Sequence, residues 1–128
     1  MSDVRRLSTL PSLRGMRVLV VEDTCMVAEM IADQLAECGC DVVGPAGRLQ
    51  AAVSLATEAM LDGALLDVNL AGEHSFPVAR ILRDRGIRFA FLTGYSDDSL
   101  PSEFSDSPCL TKPFNLESLV RLVAARFR

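Results

Sequence analysis

With 128 residues, 49% of them hydrophobic and 23% charged, the chain has the composition of one globular domain with a core of its own, needing no disulfide or metal staple. A net charge of −4 and a pI near 4.9 leave no basic field for nucleic acid or an anionic membrane surface. Its apolar runs fall far short of the roughly 20 residues that span a bilayer. A secretory signal is also missing, so a cytoplasmic protein that does not bind nucleic acid directly is expected. Cys25, Cys38, Cys40 and Cys109 match no zinc spacing, and the sequence holds a single histidine, so buried free thiols are expected.

Residues 1–14 mix Ser, Thr, Pro and Arg without periodicity and read as a flexible lead-in to a domain over 15–128. Arg17 to Val21 is nearly continuous in aliphatic and β-branched residues, as in a parallel strand covered on both faces. Thr24 is placed to cap a helix running to about Cys38, which Gly39 ends. Asp41 to Gly44 reads as a second strand, and Leu49, Ala52, Val53, Ala56 and Met60 stripe a second helix. A third strand, Ala64 to Asp67, leads into a loop over 68–75 and a helix from Phe76 or Pro77 to Arg85. Arg88 to Leu92 gives a fourth strand. Ser96 to Ser107 is rich in Ser and Asp and carries Pro101, which predicts a short or mobile fourth helix. Cys109 to Thr111 is a brief fifth strand, and Asn115 caps a last helix lined by Leu116, Leu119, Val120, Val123 and Phe127.

Five alternations of strand and helix predict an α/β fold of flavodoxin-like (βα)5 form, a three-layer sandwich around a parallel sheet in the order 2-1-3-4-5. Sites in such folds lie at the carboxyl ends of the strands. There the sequence places Glu22 and Asp23 after the first strand, Asp67 at the end of the third, Thr93 after the fourth and Lys112 after the fifth. Three carboxylates suit a small hard cation, with Mg2+ the natural candidate and Mn2+ a substitute. A cation is needed because phosphate is repelled by bare carboxylates. Lys112 and the Thr93 hydroxyl could serve the remaining phosphoryl oxygens. The chemistry indicated is attack by an Asp carboxylate on an incoming phosphoryl group, giving a labile acyl phosphate.

The Val-Val-Glu-Asp run ending at Asp23, the Leu-Leu-Asp end at Asp67, Thr93, and Lys112 followed by Pro113 together resemble a receiver domain of the two-component response regulator family, over about residues 16–127. The resemblance implies that Asp67 is the phosphoacceptor and that Asp23 binds Mg2+ directly. It further implies that Glu22 acts nearby or through water, that the Asn69 backbone carbonyl is a further ligand, and that Thr93 is the switch. The Lys112–Pro113 bond is a candidate cis peptide. The implied donor is a histidine kinase or phosphotransfer protein, and the output is contact with a downstream protein, as a monomer or a phosphorylation-dependent dimer. No turnover of an external substrate is expected.

Two departures stand out. Receivers usually carry an aromatic switch residue three places before the lysine, where this sequence has Cys109. The run Phe91-Leu92-Thr93-Gly94-Tyr95 is similar to a subgroup, often stand-alone, with a Phe-x-Thr-Gly-Tyr or Gly signature there and no aromatic on the fifth strand; in this chain Tyr95 is expected to take over the switch or to shield the phosphoryl group from water. Rival functions fare less well. A nucleotide- or flavin-binding module needs a Gly- or Ser/Thr-rich loop where this chain has Glu22 and Asp23. An Asp phosphatase wants an acid where Asn69 stands. A pseudo-receiver acting only as a binding module, and a receiver excised from a hybrid kinase, remain the alternatives.

Overall fold

A computed structural model describes residues 10–94 and 100–128. Five strands, β1 (Arg17–Val21), β2 (Asp41–Ala46), β3 (Gly63–Asp67), β4 (Arg88–Thr93) and β5 (Cys109–Thr111), form one parallel sheet in the order β2-β1-β3-β4-β5. Among the described residues, four α-helices connect and flank it: α1 (Cys25–Glu37), α2 (Leu49–Glu58), α3 (Phe76–Asp84) and α4 (Leu116–Arg126). This is the expected flavodoxin-like arrangement, with strand order reversing between β1 and β3.

Alternation along the strands divides the core into two layers. Val18, Val20, Leu65, Ala90 and Leu92 face one side, where Ile31 and Leu35 of α1 and Leu119, Val120 and Val123 of α4 cover them. Leu19, Val21, Leu66, Phe89 and Phe91 face the other, under Ala52 and Ala56 of α2 and Val78, Ala79 and Leu82 of α3. The two faces are filled differently. Around Phe91 and Phe104 four phenylalanines form a ring cluster, with Phe91–Phe104 centroids 5.4 Å apart and edge-on, whereas the α1/α4 layer is mainly aliphatic. At the base of β3, the ring of Phe127 occupies the place that a Cβ on Gly63 would fill.

Several expectations need correction. In the part of the fourth connection that is described, the short helix expected there is a single 3-10 turn, Ser102–Phe104. Its Phe104 is fully buried, so a single apolar anchor does there the work of a helical stripe. Strand β2 runs past Gly44 through a cis Gly44–Pro45 peptide to Ala46. Thr24 stands at the N-cap of α1, but its side chain makes no capping hydrogen bond. Met60 lies beyond the end of α2 and is 77% exposed, because the chain turns extended at Ala59 and carries it off the helical stripe. Leu13, inside the stretch read as a flexible lead-in, is fully buried, and its N–H donates to the Cys38 carbonyl at 2.7 Å. Of the thiols only Cys40 is buried. Cys25 opens α1 on the solvent side, and Cys109 faces outward from the edge strand.

Candidate functional site

The loop after β1 begins with two acids of opposite character. Glu22 is 2% exposed, and its N–H donates to the Ala46 carbonyl. Both of its carboxylate oxygens are engaged: Oε1 accepts from Lys112 Nζ at 2.6 Å and Oε2 from the Thr24 N–H at 2.9 Å. Asp23 is exposed, and its Oδ2 accepts the Ala71 N–H at 2.9 Å. Asp67 ends β3 at 4% exposure, with Oδ1 2.9 Å from Lys112 Nζ. The carboxylates of Glu22, Asp23 and Asp67 each offer an oxygen within 4.8 Å of the others.

Neighbouring strands complete the rim. Leu92 pairs with Asp67 in register, which sets Thr93 one residue further on, buried. The Thr93 carbonyl accepts the Lys112 N–H at 2.6 Å, and the Lys112–Pro113 peptide is cis. Asn69 opens a two-residue-stranded hairpin, paired with His74, whose turn is Ala71-Gly72. Both turn residues have positive φ, 49° and 90°, as a type I′ turn requires. Ala71, unlike a glycine, bears the strain of that conformation. Strand order thus brings Glu22, Asp23, Asp67, Thr93 and Lys112 to one edge. Cys109 sits three residues before Lys112 at the outer start of β5. Tyr95 lies outside the described residues.

Electrostatics follow from burial. Loss of solvent pushes the Asp67 carboxyl up to about 8; hydrogen bonding to Lys112 opposes this, and repulsion from Glu22 adds to it. Burial likewise lifts the Asp23 carboxyl, but the Ala71 N–H and hydrogen bonds with Glu22 and Asp67 outweigh it and hold it below its ordinary value. Burial acts to lower Lys112, yet Glu22 and Asp67 hold it above the usual lysine range. Three acids face one ammonium group, so the donor set is short of positive charge. Oxygen ligands gathered this closely fit a hard divalent cation.

One contributor escaped the sequence reading. Ala71 acts through its backbone N–H, which no side-chain pattern announces, although the Ala-Gly pair is a turn signal. Lys112, which the sequence did place at the site, is the chain's one lysine among thirteen basic residues.

Comparison with known proteins decides the family. The response regulator receiver domain matches residues 18–124. The chain belongs to the response regulator receiver family. Among curated proteins this receiver is similar to the transcriptional regulatory protein PdtaR of Mycobacterium tuberculosis, 31% identical over 119 residues, covering 88% of this chain and 58% of the relative. The chain thus spans little more than half the length of the curated relatives it matches. Among solved structures the receiver resembles SdrG of Sphingomonas melonis, at 40% identity and a TM-score of 0.76, covering 86% of this chain and 94% of that one. It also resembles the response regulator PhyR of Brucella abortus, at 25% identity and a TM-score of 0.75, covering 98% of this chain and 52% of that one. Receivers bind Mg2+ at an acidic pocket and work with histidine kinases or phosphotransfer proteins and downstream effectors. Among the described residues, no helix is long and apolar enough to cross a membrane.

Proposed function

We propose that the protein accepts a phosphoryl group on Asp67 from a phosphohistidine of a histidine kinase or phosphotransfer protein, and signals through contacts with another protein. The observation that carries this is the Asp67 carboxylate, buried at a strand end, 2.9 Å from the Lys112 ammonium and beside two further acids. An ionised Asp67 oxygen attacks phosphorus in line, the P–N bond breaks, and its electron pair leaves with the imidazole. No proton need leave the nucleophile, because it reacts as the carboxylate. Lys112 supplies positive charge where the phosphoryl oxygens arrive.

Asp23 and Asp67, with the Asn69 carbonyl, are the groups that would hold Mg2+, or Mn2+ in its place. The bound cation supplies the charge that lets an anionic phosphoryl group approach the carboxylates and keeps Asp67 ionised. Thr93 stands beside the nucleophile as the hydroxyl that hydrogen-bonds the new phosphoryl group and shifts the population of the output surface. Cys109 has no ring to follow it. This chain would act in signalling, in the cytoplasm and without turnover of an external substrate.

Intact mass after incubation with acetyl phosphate, with and without Mg2+, tests the proposal. A Mg2+-dependent gain of one phosphoryl group is expected in the wild type and none in Asp67→Asn. Labelling that persists in Asp67→Asn places the acceptor elsewhere.

A further inference from the structure

Glu22 and Asp23 are adjacent acids at one strand end, yet the fold treats them differently. Asp23 is exposed, and its Oδ2 accepts the Ala71 N–H. The Glu22 side chain is fully buried and has committed one oxygen to the Lys112 ammonium and the other to the Thr24 N–H. To serve a cation, Glu22 would have to share an oxygen that already accepts from the Lys112 ammonium or the Thr24 N–H, and a second positive charge there competes with the first. Asp23 faces no such conflict.

We infer that Glu22 serves the reaction through Lys112 and not through the cation: it is a positioning residue that holds the ammonium beside Asp67. The Lys112 side chain is 28% exposed and has four rotatable bonds, so without a fixed partner it would spread over several rotamers. Glu22 removes that freedom from one side, and the Thr24 N–H fixes Glu22 in turn. Lys112 Nζ then lies 2.9 Å from Asp67 Oδ1 before any phosphoryl group arrives. Preset donors of this kind cost no reorganisation during reaction. The inference rests on Asp67 being the phosphoacceptor.

A cation ligand and a positioning residue respond differently to excess Mg2+. Loss of a ligand raises the Mg2+ requirement, and saturation restores the rate. Loss of a positioning residue lowers the rate even at saturation. For Glu22→Gln, the acetyl phosphate labelling rate at saturating Mg2+ is expected to fall at least tenfold. Its half-maximal Mg2+ concentration should shift less than that of Asp23→Asn. Because Lys112 is the only lysine, lysine-selective 15N labelling gives one Nζ signal. In Mg2+-free protein that signal should move in Glu22→Gln and hold nearly still in Asp23→Asn.

A Glu22→Gln rate that returns to wild type at saturating Mg2+, or an unmoved Nζ signal, overturns the inference. Should the Gln variant fail to fold, Glu22→Asp keeps the charge but withdraws it by one methylene. A saturated rate below wild type then supports the inference, and an equal rate overturns it. If the wild type takes no phosphoryl group at all, the phosphoacceptor reading falls, while the Nζ signal still tests the Glu22–Lys112 contact.

Discussion

The two connections that flank the site are held in opposite ways. Residues 68–75, following Asp67, are tied by backbone bonds: the Val68 N–H to Leu92, the Ser75 N–H to Val68, a two-rung hairpin, and the Ala71 N–H to Asp23. Residues 100–108, which lead into β5, have local backbone turns and one backbone bond to β4, from the Phe91 N–H to the Pro108 carbonyl, and are otherwise held by side chains. Phe104 is sunk among Phe76, Phe89 and Phe91, and Arg83 lies over its ring at 4.7 Å while donating to the Glu103 carbonyl. The first connection is bonded to a carboxylate of the site and so must feel its charge. The second is anchored in an apolar layer through Phe104. Stability and chemistry are therefore separable by mutation.

The largest effect is expected at the apolar anchor. Phe104→Ala should cost about 3–5 kcal/mol in urea unfolding, as for other buried aromatic truncations. The Mg2+ requirement for labelling in the surviving folded fraction should stay unchanged. A changed requirement would mean that the two connections are coupled more tightly than their contacts suggest.

The polar side should answer in the opposite direction. Asp67→Asn removes a carboxylate that is hard to ionise where it sits, and without Mg2+ it should stabilise the fold by roughly 1–3 kcal/mol. The same cause gives a pH dependence. The folded Asp67 carboxyl titrates near 8, against an ordinary value of 3.8, so the fold binds its proton more tightly than the unfolded chain does. That contribution is full below pH 4 and is lost as pH rises through 8. Metal-free wild type should therefore show a falling component of stability over this window, which is absent in Asp67→Asn and suppressed by Mg2+. Urea midpoints across the range, with and without Mg2+, check it.

The smallest effect is expected at Ala71. Glycine adopts its positive φ without the Cβ penalty but loses more entropy on folding. Ala71→Gly should be neutral or gain up to about 1 kcal/mol, leaving the Asp23 hydrogen bond in place. A thermal melt reads the first, and the Mg2+ affinity reads the second.

Much of this was legible in the sequence, for an identifiable reason. Buried parallel strands are written as continuous aliphatic runs, so β1, β3 and β4 stand out, and the residue that ends each run falls on the site edge by topology alone. Glu22, Asp23, Asp67, Thr93 and Lys112 could be gathered in this way. The hairpin could not, because Asn69 to His74 carry no apolar period and pair only with each other. Phe104 was hidden among Ser and Asp, since one ring in a polar segment makes no stripe. The inequality of Glu22 and Asp23 was also invisible. Adjacent acids look alike on paper, and only the packing around Lys112 separates them.

One consequence of the solitary lysine is practical. Amine-directed reagents ignore arginine, so Lys112 is the one side-chain amine in this sequence that they can reach. The lysine is paired with Glu22 and Asp67 and kept protonated, whereas α-amino groups ordinarily titrate near 8. Acylation of Lys112 at neutral pH should therefore be slow. Slow acylation of Lys112 then becomes a clock, counting how often its grip on the two acids opens.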